Sequence, residues 1–215
     1  FMRAHGWTHA SEPVAAALDL AQAICRSPLM FHTHADCFLR DRRFLERWGK
    51  VCNANNPVIG YRMSDRSWAT NEWEWMVGHT ATMLYMPTIH RIGATWSYQR
   101  VHALGYRTVE GVAGWPDTET AFNHALRLKG IVPQFIGDDI NHKRQKDAQI
   151  DHVRSYAGSS IYSDEYHETA KGWMKEALSE ARHRAREWAA LNLAEQGGVP
   201  YSRENSRSLC SSHAH

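Results

Sequence analysis

The stretch LMFHTHADCFL, residues 29–39, bounds the fold of this chain more tightly than any other. Pro28 comes just before it and cannot continue a helix. Leu29, Met30 and Phe31 form an apolar run that is too short for a helix and has the length of a buried strand. The run ends at His32, His34, Asp36 and Cys37, side chains suited to metals. Residues 29–33 therefore read as a strand with chemistry at its carboxyl end.

The flanking segments predict what packs around that strand. SEPVAAALDLAQAICRSP reads as one helix: Ser11 can cap it, Pro13 fits its first turn and Pro28 stops it. Its apolar stripe is Val14, Leu18, Ala21 and Cys25. DRRFLERWGKVC predicts a second amphipathic helix, apolar at Phe44, Leu45, Trp48 and Val51, and NNPVIGYRM a strand behind a turn. Residues 64–77, polar and rich in Trp, read as a loop or short helix. HTATMLYM is strand-like, Pro87 starts a short helix, and YRTVEGVA is a weak strand. DTETAFNHALRLKG predicts a helix stopped by Gly130. IVPQFIG predicts a strand that Pro133 confines to an edge or a bulge. A long helix follows from Ser163 to about Gln196, lined on one face by Tyr166, Ala170, Trp173, Ala177, Ala181, Trp188 and Leu191. Helices alternating with short strands predict an α/β domain, whose ligands sit beyond the carboxyl ends of strands. The expected organisation is a catalytic domain over 1–162, an amphipathic helix over 163–197 and a polar, disordered tail over 198–215.

Composition excludes several classes. Hydrophobic residues make up 43% of 215, which argues against global disorder. A net charge of +2 lacks the basic excess of a nucleic-acid binder. No apolar run approaches the ~18 residues of a membrane span, and residues 1–12 lack the apolar core of a secretory leader. Cys25, Cys37, Cys52 and Cys210 form no CxxC pair and read as reduced thiols, so a cytoplasmic location is expected.

Four polar clusters carry candidate chemistry. If the strand stays extended, His32, His34 and Asp36 share a face that can hold a divalent cation; one or two of the His residues can equally be structural. In GWPDTET, Asp117 and Glu119 precede a helix; one acid suffices to complement the helix dipole, which leaves room for a general base. GDDINHKRQKDAQIDH offers Asp138, Asp139, His142, Asp151 and His152. Most of these read as a solvated loop, with His142 or Asp139 able to complete a metal or phosphate site. Trp68, Trp73 and Trp75 can stack on sugar rings or lie partly buried under a loop, and His79 after Gly78 can point into a cleft.

The order of these pieces resembles the GT-A-fold glycosyltransferases, in particular the large family-two group. The matching pieces are HASEPVAAALDLAQAICRSPLMFHTHADCFLRDRRFLERW, PVIGYRM, VGHTATMLYMPTIHRIG and WPDTETAFNHALRLKGIVPQFIG, covering roughly residues 8–140. The resemblance implies a GT-A-like (Rossmann-like) mixed sheet flanked by helices, and sugar transfer from a nucleotide-sugar to a glycan or other hydroxyl acceptor. HAD lies where the family has Asp-x-Asp. Asp36 then falls on the acid that binds the manganese or magnesium holding the diphosphate, and His34 stands where the family has its first acid. Asp117 resembles the acceptor-activating base and Glu119 its acidic companion. Trp73, Trp75, Gly78 and His79 would contact the acceptor, and His142 falls on a late metal ligand of some relatives. The family's base-binding strands would precede residue 8, so the matching region is N-terminally incomplete.

Three rival readings share these residues. A His-x-His at a strand end opens the ligand set of metal-dependent amidohydrolase barrels, which need about 250 residues. His-hydrophobe-His nucleases of the replication-initiator type place the pair inside a strand with a Tyr on a later helix, here Tyr166. A non-catalytic assembly partner would use the long C-terminal helix as an oligomer contact.

Overall fold

A computed structural model describes residues 11–66, 73–97, 118–138, 144–153 and 164–195. The elements are α1 (Ser11–Ile24), β1 (Leu29–Thr33), β2 (Cys37–Leu39), α2 (Phe44–Val51), β3 (Val58–Arg66) and β4 (Trp73–Tyr85). They continue with α3 (Met86–Ile92), α4 (Thr118–Leu128), β5 (Gln134–Asp138), β6 (Gln145–Lys146), β7 (Ile150–His152) and α5 (Asp164–Glu195).

The chain is mixed α/β, with a mixed four-stranded sheet of order β1-β4-β3-β5 and a separate three-stranded sheet of order β2-β7-β6. In the larger sheet β4 runs antiparallel to β1 and β3, and β5 runs parallel to β3. Pro133 immediately precedes β5, which among the described residues pairs only with β3. A proline has no N–H to give to a ladder, so a strand beginning after one suits an edge.

Alternation along the strands builds two cores. Val58 and Leu84 face one side, with Ala15, Met86, Ile89, Trp96, Phe122 and Leu126 from the helical layer. Their neighbours Ile59 and Met83 face the other side, with Phe44, Trp48, Tyr61 and Ile150. Period-two alternation requires this split, and each fully buried Val, Leu, Ile or Phe contributes about 1.5–3 kcal/mol. Trp96 stacks on Phe122 with centroids 4.0 Å apart and planes 3° from parallel. Asp19 on α1 holds that turn in place by accepting from the Trp96 amide (2.8 Å) and the Thr95 hydroxyl.

α5 covers the outer side of the small sheet and packs on β2. It buries Ala170 and Ala177 completely, with Trp173, Met174, Ala181, Arg184 and Trp188 half-buried along the same stripe. Ion pairs reinforce the contact. Asp151 on β7 is wholly buried and accepts two bonds from Arg144, from Nε at 2.8 Å and Nη2 at 2.7 Å. The remaining Arg144 nitrogen Nη1 reaches Glu176 at 2.7 Å. Lys146 bridges Glu176 and Glu180, at 3.2 and 2.7 Å. Near the far end, Arg42 donates to Asn192 and Glu195. Among the described residues no helix is long and apolar enough to cross a membrane.

Several expectations need correction. The described part of residues 64–77 is not a loop or helix. β3 runs on to Arg66 and β4 begins at Trp73, with Ser64 opposite Trp75 and Arg66 opposite Trp73. Aromatic residues favour a pleated surface, and this outweighed the polarity of the segment. β6 and β7 come from a stretch read mostly as a solvated loop, and β2 from residues 37–39, for which no element was expected. Leu191 is 50% exposed and does not belong to the packed stripe of α5. Trp68, the strand expected over 106–113 and the tail 198–215 lie outside the described residues, as does the side chain of Tyr166.

Candidate metal centre

The end of β1 shapes the site. Thr33 is the last paired residue, opposite Ala81. Its hydroxyl and the His34 amide both donate to the Thr80 carbonyl, at 2.8 and 2.9 Å. The Cys37 amide then donates to the His34 carbonyl at 3.1 Å, closing a four-residue turn that sends the chain into β2. The extended face expected for His32, His34 and Asp36 is therefore broken. His32 packs edge-on against Trp96, with centroids 5.0 Å apart at 87°, while His34 and Asp36 meet across the turn.

A bulge lies beside this turn. Gly60 pairs with Thr82 and Arg62 with Val77, so residues 78–81 of β4 stand opposite Tyr61 alone. A Cβ on Gly60 would lie 2.3 Å from Val77 Cγ2 and 2.8 Å from Thr82 Oγ1, so only glycine fits there. Bulges re-aim strands beside functional sites, and this one presents the Thr80 carbonyl to the end of β1.

The third member comes from far along the chain. β2 pairs antiparallel with β7, with Cys37 opposite His152, and the Val153 amide donates to the Asp36 carbonyl at 3.0 Å. This pairing brings His152 against the turn. His152 Nε2 is 3.2 Å from His34 Nδ1 and 3.4 Å from Asp36 Oδ1. His34 Nδ1 is 4.0 Å from the same oxygen. These three are the one group of His, Cys, Asp and Glu donors among the described residues within 4.8 Å of one another.

The spacing suits a cation. Zinc ligands at about 2.0–2.2 Å in a tetrahedron stand about 3.3–3.6 Å apart. His152 is 2% exposed, whereas the side chains of Asp36 and His34 are 15% and 31% exposed, so the cluster has a dry floor and a wet rim. His152 Nδ1 is buried with no hydrogen-bond partner among the described residues, which leaves Nε2 as the nitrogen committed to the cluster. Burial pushes the Asp36 carboxyl up. The hydrogen bond and charge of His152, and the charge of His34, outweigh it and hold the group below its ordinary value. Asp36 is thus a carboxylate at neutral pH, as a ligand must be. Burial pushes the neighbouring Cys37 thiol up to about 12, and Cys37 is not one of the three clustered donors.

The other expected site residues are placed differently. Glu119 is buried in the first turn of α4, accepts from the Thr118 hydroxyl at 2.9 Å, and is not one of the cluster's donors. α4 docks on β4 through Asn123, which exchanges two bonds with the Val77 backbone at 2.9 and 2.8 Å. Gly78 is buried in β4 and its carbonyl accepts from Thr82. Asp138 forms an ion pair with Arg62. Asp117, Asp139 and His142 lie outside the described residues, as do the side chains of Trp73, Trp75 and His79. Within the described residues the third partner of His34 and Asp36 is His152. No local pattern marks it: Ile150, Asp151, His152 and Val153 are all buried, in a segment that reads as a solvated charged loop.

No family model, no curated protein and no solved structure matches this chain.

Proposed function

We propose that the chain is a metal-dependent hydrolase whose divalent ion is held by His34 Nδ1, Asp36 Oδ1 and His152 Nε2. The observation that carries this reading is the set of mutual distances, 3.2, 3.4 and 4.0 Å, which leaves room for one ion and an open side at the rim. Two imidazoles with one carboxylate suit zinc or a neighbouring transition metal. Three protein ligands with a fourth position free for water is the arrangement of catalytic zinc. An ion there lowers the pKa of bound water toward ~7 and polarises a carbonyl or phosphoryl oxygen. The exposed rim at His34 and Asp36 is where water and substrate would approach.

Metal content by mass spectrometry and zinc titration by calorimetry test the reading. One ion per chain is expected, lost in Asp36→Asn and His152→Ala. Zinc binding that is absent, or unchanged in both variants, would sink it. Hydrolysis of simple nitrophenyl phosphates and esters by the loaded protein then measures the activity.

A second reading has its own support. His34 and Asp36, the pair that the glycosyltransferase resemblance assigns to the diphosphate-bearing ion, both belong to the cluster. The reaction would be metal-assisted transfer from a nucleotide-sugar, with manganese or magnesium in place of zinc. A nucleoside diphosphate with manganese should then stabilise the chain by about 2.7 kcal/mol at a hundred times its Kd. Tight zinc with no diphosphate effect selects the hydrolase.

A further inference from the structure

The second large feature of the molecule is the solvent face of α5. Lys175, Ser179, Arg182, His183 and Arg186 line one shallow depression and are all exposed. Their spacing of four, three, one and three residues puts them on a single helix face. That face lies opposite the stripe of Ala170, Ala177 and Trp188 that packs on the small sheet. The side chains of Lys175, Arg182 and Arg186 make no ion pair or hydrogen bond among the described residues.

Five acids of α5 are paired, and among them Glu187 alone pairs with a residue of the depression, His183. Glu176 and Glu180 turn inward to Arg144 and Lys146, and Glu195 to Arg42. Glu168 is paired with Lys171, and Glu187 with His183. The net charge of +2 gives no overall basic excess and argues against a nucleic-acid binder, but it conceals a local one: three cations stand together on one rigid rod. From Lys175 to Arg186 the rise is about 16 Å at ~1.5 Å per residue.

We infer that this face of α5 is a docking surface for the phosphate backbone of a nucleic acid. Arg forks and Lys ammoniums, with a Ser hydroxyl between them, are the groups that hold phosphate oxygens. Three cations within about 16 Å can reach several phosphates along a strand without reading base identity. A membrane surface is a poorer fit, because an interfacial helix needs a free apolar side and the apolar stripe of α5 is already packed. The inference stands on α5 alone and not on the metal centre.

Fluorescence anisotropy with labelled 25-mer duplex and single-stranded DNA, between 50 and 200 mM salt, tests it on the full chain. With three phosphates neutralised, log K should fall with log salt at a slope of about −2.7 on duplex or −2.1 on single strands. The triple variant Lys175→Gln/Arg182→Gln/Arg186→Gln should bind at least tenfold more weakly at 50 mM salt, with most of that slope gone. Its circular dichroism should be unchanged, because all three side chains are exposed. Asp36→Asn should bind DNA like the wild type, so failure here is separable from failure of the metal reading. No binding at 50 mM salt, or equal binding by the triple variant, overturns the proposal. So does variant-sensitive binding to phosphatidylserine vesicles without any to DNA.

Discussion

The pair Arg144–Asp151 joins the small sheet to α5, and its removal makes a quantitative test. Asp151 is wholly buried and accepts two bonds from Arg144, whose side chain is 12% exposed. Asp151→Ala leaves a guanidinium that has lost both bonds to its buried partner in a dry environment. Breaking such a pair costs about 3–5 kcal/mol. Arg144 keeps Glu176 at the rim, so the lower end, about 3 kcal/mol, is expected. For a domain of this size that is a fall of about 6–12 °C in Tm. Replacing both charges, Arg144→Met with Asp151→Leu, removes the stranded charge and should return stability to within about 1 kcal/mol of wild type. Urea denaturation of the wild type, both singles and the double completes the cycle, with coupling of at least about 2 kcal/mol expected. Comparable m-values are required for the comparison to hold. A loss below about 1 kcal/mol in Asp151→Ala, or a double variant whose loss is the sum of the singles, refutes the argument that a buried charge is at stake.

Gly60→Ala should destabilise by about 1–3 kcal/mol through its clash with Val77 and Thr82, and adding Val77→Ala should recover part of this in thermal melts. His34→Ala should lose zinc binding by calorimetry, whereas His32→Ala, which loses its contact with Trp96, should lose stability and keep the ion. Phe122→Ala opens a hole under Trp96 and should cost about 3–5 kcal/mol in urea unfolding, again with zinc binding intact. The Glu176 carboxyl is lowered to about 2 from 4.5, first by its hydrogen bond to Arg144 and then by that to Lys146. Its contribution is present above pH 4.5 and lost as pH falls toward 2. Hydrogen exchange should show α5 protection declining across that window in the wild type, with a smaller decline in Glu176→Gln.

Much of the fold was legible because it obeys local rules. The strand Leu29–Thr33 follows from an apolar run behind a proline, and the helix ending before Gly130 from periodicity plus a residue at φ 65°. α5 was readable for the same reason, since its 32 residues repeat one pattern. The short strands were not. β2, β6 and β7 have two or three residues each, and only their partners define them. Asp151 illustrates the difficulty: beside His152 in a charged stretch it reads as solvated, yet Arg144 makes its burial tolerable. The candidate site was half legible. His34 and Asp36 lie in one motif, but His152 joins them only through the Cys37–His152 register, which no local pattern announces.

That register also fixes a time order. His34 and His152 are 118 residues apart in sequence. β1, β3 and β4 can pair once Tyr85 is available, whereas β7 arrives after the rest of the chain up to His152 has been made. At about 5–20 residues per second, synthesis separates these events by roughly 3–13 s. A ribosome-bound chain would therefore hold a formed β1–β4–β3 hairpin stack with two donors exposed and the third not yet synthesised. The three donors of the cluster therefore come together only once His152 has been made, and a chain stalled before Ile150 retains strands but not the third donor.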